Sequence, residues 1–488
     1  MIALGKKAVL AFDYGASSGR LVLGILNEDT KKIELKEMHR FKNCSVKLNQ
    51  YEYWDFPYLY NELKEGLKKV FSKESIVTSE NIEVLGLGVD TWGVDYGWID
   101  ERGELLSLPI CYRDTRTEEV FEEVHSKVSL EEIFNETGVQ FYSFNSIYQI
   151  FYDIHKRKVL EKGAKQLQFM PNLFAYFLTG KKSWEYTISS TSGMVNIDNK
   201  KWSKKIFEKL DIPESIVGDI EHGGQVLAPL KETIQKELGI KPLNVILTAS
   251  HDSAAAIAGA PLVENSLYVI NGTWSIIGFE SDVPVVNEEA FKNNIVNEGG
   301  IEKKARVLKM IPGLWILQQL KKIFNEKNLD IDYSDFGNMA KKSNLISFVD
   351  LENERFLHAE KMDIEIKEYC RETGQEVPET DEDLLRVAYN SLKKQYNKSI
   401  KELEKLVGNE FTSIIAIGGG IQDKFLCQEI SDETDRVIKA GPIEASAFGN
   451  IITQFIALGL VKNLEEGREI VKNSVEIIEY KSKRKEEK

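Results

Sequence analysis

A chain of 488 residues is too long for one ordinary hydrophobic core, so we expect two domains. Its formal net charge of −14 argues against nucleic acid or an anionic membrane surface as the main partner, although it allows a locally basic pocket. No apolar segment approaches the roughly 18 residues of a membrane span, and the first residues do not form a secretory signal. The four cysteines lie far apart, which favours a cytoplasmic protein with reduced thiols over a disulfide frame or a zinc site.

The first predicted strands, Ala8–Phe12 and Leu21–Leu26, are joined by a turn of small residues that follows one carboxylate, Asp13. The glycines of this turn let the backbone approach a ligand, and the hydroxyls of Ser17 and Ser18 add donors, as in an anion nest. Asp13 would repel a bare phosphate, so its position is explained if Mg²⁺ stands between them. A hairpin with a bulge explains the local sequence equally well, and the chain has no Walker A motif.

A predicted helix at Pro57–Ser72 is followed by "IEVLGLGVDTWGVDYGWID", which predicts two strands around a polar turn. Asp90 and Asp95 beside Trp92 are the residue types that bind a sugar, with polar groups for its hydroxyls and a ring for its C–H face. A strand edge with a core tryptophan is the equally weighted alternative. Helical periodicity covers 117–162, with Gly138 as a predicted helix cap.

Residues 201–240 are predicted as helix or loop, with "GQVLAPL" as a connector. The next segment, "PLNVILTASHDSAAAIAGA", predicts a strand, a turn and a helix of small residues. Asp252 opens this helix, where it could accept a proton from a substrate hydroxyl or cap the helix N-terminus. The local sequence alone favours the cap slightly.

The opening pattern returns in the second half, where "SLYVINGTWSIIGFE" again predicts strand, glycine turn and strand, and this indicates two related domains. A long helix is predicted at Glu382–Val407, followed by two strand–turn–helix segments that begin at Thr412 and Arg436. The glycine triplet 418–420 in the first of them suits close approach to a phosphate or a planar ligand, although a tight turn is the common explanation. The six histidines show no metal-binding spacing, and there is no G-x-S-x-G elbow.

The order of these motifs resembles that of the FGGY carbohydrate kinases over residues 8–460. The resemblance rests on "DYG", "DTWGVD", "YRDTRT", "FNSIYQ", "WEYT", "HDS", "GTWS" and "GGG", and on the longer stretches "NEGG", "GLWILQ", "CRETGQEVPET" and "AGPIEASAFGNI". It implies an α/β fold of two actin-like, ribonuclease-H-like domains around a central cleft. The implied boundaries are 1–247 for the domain with the sugar site and phosphate loop, and 248–488 for the domain with the base and the nucleotide site.

The resemblance also implies an ATP-dependent kinase whose partners are a small ketose and ATP, with Mg²⁺ near Asp13 and Asp252 as the catalytic base. We expect a monomer or homodimer that binds neither nucleic acid nor membrane. The implied sugar-binding residues are Gly93, His251, Asp252, Ser253 and Met310. The implied ATP-binding residues are Ala16, Ser17, Ser18, Gly19, Arg20, Thr273, Gln318, Gly418, Gly419 and Gly420.

Four positions depart from the pattern of the family members that phosphorylate L-rhamnulose: Ser253 for threonine, Asn271 for serine, and Met310 and Ile188 for asparagine. The expected reaction is phosphorylation of L-rhamnulose at O1, and L-fuculose, L-xylulose and ribulose stay open as alternative substrates. A non-catalytic, actin-like sugar sensor is the alternative from another class. The retained Asp13 and Asp252 favour an enzyme, because a sensor needs neither a base nor a metal carboxylate.

Overall fold

The computed structural model describes residues 6–139, 142–327, 331–357 and 359–483. The strands are β1 (Lys7–Tyr14), β2 (Ser18–Asn27), β3 (Lys32–Lys42), β4 (Ser45–Leu48), β5 (Tyr51–Trp54), β6 (Glu83–Thr91), β7 (Tyr96–Asp100), β8 (Ala164–Phe169), β9 (Trp184–Glu185), β10 (Val195–Asn196), β11 (Lys201–Trp202), β12 (Ile220–Glu221), β13 (Gln225–Pro229), β14 (Asn244–Leu247), β15 (Ser266–Ile270), β16 (Trp274–Ser281), β17 (Val296–Gly299), β18 (Ala305–Pro312), β19 (Ser413–Ile417), β20 (Val437–Ala440) and β21 (Ile478–Tyr480).

The helices are α1 (Phe56–Val70), α2 (Ile76–Ser79), α3 (Phe121–Lys127), α4 (Leu130–Thr137), α5 (Ser146–His155), α6 (Met170–Thr179), α7 (Tyr186–Ser189), α8 (Lys204–Lys209), α9 (Glu232–Leu238), α10 (Asp252–Ala258), α11 (Glu288–Lys292), α12 (Trp315–Glu326), α13 (Tyr333–Ala340), α14 (Glu354–Leu357), α15 (Met362–Glu372), α16 (Asp381–Val407), α17 (Lys424–Thr434), α18 (Ala445–Ala457) and α19 (Leu464–Ser474). Within the described stretches, none of them is long and apolar enough to cross a lipid bilayer.

The first compact unit consists of Met1–Gly259, Glu280–Val307 and Ala445–Ser474. Its main sheet has the strand order β13-β14-β6-β1-β2-β3, in which β1 pairs parallel with β6 and antiparallel with β2. β1 is buried over almost its whole length because it is central in this sheet, and its sequence is accordingly a continuous apolar run. The core on this sheet includes Phe12, Leu63 and Phe174 from a strand and two helices.

The second compact unit consists of Ala260–Phe279, Leu308–Glu444 and Val475–Lys488. Its strands follow the order β18-β16-β15-β19-β20-β21, and β15 pairs antiparallel with β16 and parallel with β19. This repeats the arrangement in the first unit, where β1 is likewise flanked by an antiparallel hairpin partner and a parallel strand. The predicted repeat of a strand, a glycine turn and a strand is confirmed.

Two expectations about the elements and the chain division differ from the structure. "GQVLAPL" is not a connector, because Gln225–Pro229 forms an edge strand that pairs antiparallel with β14; proline is tolerated on such an edge. The compact units also do not follow one cut in the chain, since the segment Ala445–Ser474 joins the first unit. Asp252, which we assigned to the C-terminal sequence domain, lies in the first unit as well.

Helices α10 and α18 of the first unit approach each other through glycines. A Cβ atom on Gly449 would lie 1.7 Å from the carbonyl oxygen of Ala255, and one on Gly259 would lie 2.2 Å from the carbonyl oxygen of Ala445. Real Cβ atoms do not come this close to backbone oxygen, so both positions require glycine while the helices keep this separation. The contact fixes the helix that begins at Asp252.

We therefore predict that Gly449→Ala destabilises the protein. The alanine would gain about 1 kcal/mol of helix propensity, but forcing the helices apart costs more than the ~1–3 kcal/mol of ordinary overpacking, because the clash is with backbone. Chemical denaturation should show a net loss of about 2 kcal/mol or more. Gly419→Ala, whose Cβ meets nothing within 4 Å, is the matched control. Equal stability of the two variants would contradict the close contact.

Candidate active site

Two carboxylates lie side by side at one edge of the first sheet. Asp13 and Asp90 are register partners on the parallel strands β1 and β6, near the carboxyl end of each. Asp13 Oδ2 accepts hydrogen bonds from Arg20 Nη2 at 2.8 Å and from Ser446 Oγ at 2.6 Å. Asp90 is fully buried and accepts a 2.6 Å bond from Asn450 Nδ2; its burial and the charge of Asp13 raise its pKa well above the usual range. The edge therefore places two carboxyl groups side by side, one of them paired with an arginine.

The turn between β1 and β2 carries the predicted phosphate-binding residues. Asn43 holds it, donating from its side chain to Gly15 O at 2.8 Å and from its backbone to Ser17 O at 3.0 Å. Packing requires glycine at position 19, because a Cβ there would lie 2.2 Å from the ring of Phe41. Ala16 and Ser17 lie in the turn itself, whereas Ser18, Gly19 and Arg20 are the first residues of β2. Sequence reasoning missed Asn43, which lies outside the motif.

Asp252 is the first residue of α10, and the expectation that it caps this helix is wrong. The N-cap is His251, which makes no side-chain capping bond, while Asp252 Oδ1 accepts from the next backbone N–H at 2.5 Å. Burial raises the pKa of Asp252 to about 6, with His251 lowering it and Asp13 raising it further. One third of the side chain is still exposed, so an external group can reach the carboxylate.

His251 and Ser253 flank this carboxylate and contact a buried arginine, Arg306. The guanidinium is 1% exposed and pairs with Glu298 at 2.6 Å. Its Nη1 donates to Ser253 Oγ at 3.0 Å, and its Nη2 lies 3.2 Å from His251 Nδ1. A Cβ on Gly93 would lie 3.2 Å from His251 Nε2, so the structure brings Gly93 together with the "HDS" motif. Sequence reasoning did not assign Arg306, and Glu298 entered it only as a letter of "NEGG".

Glu185 of "WEYT" holds the backbone that leads into His251 through hydrogen bonds. Its Oε2 accepts from the backbone N–H groups of Thr187 at 2.9 Å and of Ser250 at 3.4 Å. Thr187 Oγ1 in turn accepts from the backbone of His251 at 3.2 Å. The pKa of Glu185 is raised because the carboxyl group is buried, and the hydrogen bonds from Thr187, Ile188 and Ser250 reduce this rise. This carboxylate ties α7 to the start of α10.

The interpretation of Asp95 and Trp92 as sugar-binding residues is not supported by their surroundings. Asp95 is fully buried, and its Oδ2 accepts from the indole nitrogens of Trp54 at 2.6 Å and of Trp92 at 3.0 Å. Gln149 donates to the other carboxylate oxygen at 3.1 Å. The structure therefore favours the alternative of a core tryptophan, with Asp95 as the acceptor that joins the two indoles.

The second unit assembles the predicted nucleotide residues around the turn between β15 and β16. Thr273 Oγ1 donates to Gln318 Oε1 at 3.1 Å. A Cβ on Gly420 would lie 2.5 Å from that of Asn271, and one on Gly313 would lie 2.6 Å from the carbonyl oxygen of Gly272. Three chain segments thus meet closely through glycine, with Gly418 and Gly419 in the last of them.

Tyr396 holds this turn through hydrogen bonds, and Met310 lies on the strand that precedes Gly313. Tyr396 of α16 donates to Asn271 Oδ1 at 2.5 Å, and its hydroxyl oxygen lies 2.8 Å from Ser275 Oγ, which can donate to it. Sequence reasoning missed this tyrosine. Met310, the departure from the expected asparagine, is a half-buried residue of β18, three positions before Gly313.

The sequence comparisons agree with this arrangement. Residues 8–259 match the N-terminal domain of the FGGY family of carbohydrate kinases, and residues 267–458 match its C-terminal domain. The chain belongs to the FGGY family of carbohydrate kinases. It is therefore an enzyme that transfers a phosphoryl group from ATP to a sugar, as the motif order predicted.

Among curated proteins, this kinase is 37% identical over 471 residues to the rhamnulokinase of Oceanobacillus iheyensis, covering 96% of this chain and 97% of that one. It is 38% identical over 476 residues to the rhamnulokinase of Halalkalibacterium halodurans, covering 97% and 98%. Among solved structures, xylulose kinase from Lactobacillus acidophilus matches with a TM-score of 0.79 at 15% identity, covering 98% and 94%. Xylulose kinase from Rhodospirillum rubrum matches with a TM-score of 0.80 at 14% identity, covering 97% and 94%. The predicted actin-like, ribonuclease-H-like α/β fold of two domains is confirmed.

The carboxylates of the kinase suit a Mg²⁺ ion that phosphate oxygens and water also bind. No group of three or more histidine, cysteine, aspartate or glutamate side chains in the described residues could by itself hold a metal ion. Mg²⁺ instead favours one or two carboxylates completed by waters and phosphate oxygens, and Asp13 with Asp90 supplies such hard oxygens. The residues present therefore fit a metal that binds together with the nucleotide.

Proposed function

We propose that this kinase phosphorylates L-rhamnulose at O1, with the γ-phosphoryl group of ATP as the donor, in the cytoplasm. The observation that carries the proposal is the match at 34–38% identity, over nearly the whole chain, to curated proteins named rhamnulokinase. The solved xylulose kinases are only 13–15% identical and bear on the fold alone. A non-catalytic sensor would have no use for the reachable carboxylate at Asp252.

We assign the base role to Asp252. Phosphoryl transfer demands mainly positioning, plus one group that accepts the proton of the attacking hydroxyl. A carboxyl group with a pKa near 6 is mostly ionised at neutral pH and is a stronger base than an ordinary aspartate. His251, Ser253, Gly93 and Met310 are proposed to orient the sugar so that its O1 hydroxyl lies against this carboxylate.

We predict that Asp252→Asn lowers kcat by at least ~10²-fold, the usual scale for a positioned base, because the amide cannot take the proton. In the parent enzyme, kcat/KM should fall as the pH drops through about 6, where Asp252 becomes protonated. Initial rates across pH measure both effects. The exposed Asp219→Asn is the matched control and should keep normal rates and melting temperature. Near-normal turnover of Asp252→Asn would remove the base assignment.

We also propose that the segment 15–20, which is the turn and the start of β2, receives the phosphates of ATP and that Asp13, next to Asp90, holds Mg²⁺. Arg20 contributes positive charge at this turn while it pairs with Asp13. Thr273, Gln318 and the glycines 418–420 are proposed to hold the rest of the nucleotide. When bound, Mg²⁺ would neutralise charge on the transferred phosphoryl group.

This assignment predicts that EDTA abolishes activity and that Asp13→Ala lowers kcat even at saturating ATP. Mn²⁺ binding in the presence of ADP, followed by electron paramagnetic resonance, should weaken in the same variant. Ser446→Ala is the matched control, because it removes the 2.6 Å hydrogen bond to Asp13 and leaves the carboxylate. Full activity in EDTA would overturn the metal assignment.

The sugar assignment depends most on Met310. A thioether donates nothing and accepts weakly, so it cannot replace the hydrogen bonds of an asparagine. Sites that bond a substrate hydroxyl discriminate by ~10⁴-fold or more against a ligand lacking it, whereas apolar contacts tolerate variants. We predict that L-rhamnulose is the best substrate, that the enzyme also phosphorylates other ketoses, and that Met310→Asn reduces the number of ketoses it accepts. Values of kcat/KM for L-rhamnulose, L-fuculose, L-xylulose and D-ribulose test this; a clear preference of the parent for another ketose would contradict the assignment.

A further inference from the structure

Arg306, at the start of β18, is a buried cation that contacts two residues of the proposed sugar site, His251 and Ser253. Its Nε donates to Gly299 O at 2.8 Å, which holds the guanidinium plane against β17. Its Nη1 donates to Ser253 Oγ at 3.0 Å. Its Nη2 donates to Glu298 Oε2 at 2.6 Å and lies 3.2 Å from His251 Nδ1. A planar, rigid fork of this kind can orient several groups at once, which the flexible ammonium of a lysine cannot.

The contact between Arg306 and His251 has a consequence for the histidine. A guanidinium has donors only, so it can bond Nδ1 only if that nitrogen carries no proton. In the neutral imidazole the proton then resides on Nε2. The competing arrangement, in which Nδ1 donates to Glu298 Oε2, spans 3.5 Å and is longer. The geometry favours the tautomer with Nε2–H.

The Nε2 side of the ring faces the residues proposed to contact the sugar. Nε2 lies 3.5 Å from Asp252 Oδ1, and a Cβ on Gly93 would lie 3.2 Å from it. Ser253 Oγ accepts from Arg306 and lies 3.2 Å from both ring nitrogens of His251. Because Nδ1 accepts from Arg306 and Nε2 carries the proton in this tautomer, the ring offers no acceptor for the serine hydrogen, which stays available to donate. Both side chains are thus presented as hydrogen-bond donors beside the carboxylate.

We propose that Arg306, which contacts neither sugar nor nucleotide, is the positioning residue that presents His251 Nε2–H and the Ser253 hydroxyl as donors to the sugar. The inference rests on the proposed sugar site. Glu298 supports this arrangement by neutralising the buried charge of Arg306. Although burial acts to raise it, the charge of Arg306 lowers the pKa of Glu298 to about 2, so the pair stays ionised at working pH.

We predict that Arg306→Lys raises the sugar KM by ~10-fold or more, because the lysine keeps the charge but cannot hold both donors in place. The KM for ATP should change less than the KM for the sugar. Guanidinium ion at millimolar concentration should partly restore sugar binding to Arg306→Ala. Steady-state kinetics with each substrate varied in turn gives this separation.

Arg468→Lys is the matched control. Arg468 Nη2 donates to the carbonyl oxygen of Ile257 at 2.9 Å, near the other end of α10, and Arg468 Nη1 pairs with Glu280 at 2.8 Å. The variant Arg468→Lys therefore disturbs α10 without changing a contact of His251, and it should leave the sugar KM unchanged. An equal rise of KM in the two variants would mean that Arg306 acts only through stability, which overturns the proposal.

The second test is read from the spectrum of the parent enzyme. Nitrogen-15 NMR of the six imidazole groups, with His251 assigned by His251→Gln, should show Nε2–H for the neutral ring. A neutral ring with Nδ1–H would overturn the role of Arg306. If the parent phosphorylates none of the ketoses, the proposed function fails, whereas this tautomer measurement still confirms or overturns the role of Arg306.

Discussion

The first unit depends on a set of hydrogen bonds from one helix to the carboxylates of the central strands. Burying a carboxylate is costly unless donors satisfy it, and neither β1 nor β6 supplies enough of them. Helix α18 adds one donor to each, since Ser446 donates to Asp13 Oδ2 and Asn450 to Asp90 Oδ2, each at 2.6 Å. Its close contact with α10 through Gly449 then sets where Asp252 can lie. One helix therefore bonds two of the acidic side chains and packs against the helix that begins with the third.

The two units differ in the charge of the side chains at their candidate binding sites. The first gathers Asp13, Asp90 and Asp252, whose mutual repulsion and burial raise the pKa of Asp90 and of Asp252. The turn in the second unit is bounded by glycine, hydroxyl and amide groups, with Tyr396 fixing it through neutral hydrogen bonds. Acid–base chemistry suits the first arrangement, because a carboxylate with a raised pKa accepts a proton more readily. Close backbone approach suits a nucleotide in the second.

Buried polar residues hold the active-site side chains in position. Asp95 joins two indoles, Glu185 ties α7 to the start of α10, and Arg306 orients His251. Each has several hydrogen-bond partners, and removing one of these residues would leave those partners unpaired at a cost of about 1–3 kcal/mol. Such networks restrict side chains to one geometry, which a site for a small polar substrate requires.

The sequence by itself determined the elements whose signals are local. Apolar runs around glycine turns predicted both hairpins, and the order of motifs indicated the family. Periodicity predicted a helix at Glu382–Val407, which the structure has at Asp381–Val407. Only the tertiary structure decided that Gln225–Pro229 is an edge strand, that His251 rather than Asp252 is the N-cap, and that Asp95 is structural. The same holds for the pairing of Arg306 with Glu298 and His251, and for the return of Ala445–Ser474 to the first unit. These features depend on hydrogen bonds and packing between residues far apart in the chain, as between Ser446 and Asp13, 433 positions away, and such contacts leave no local pattern to read.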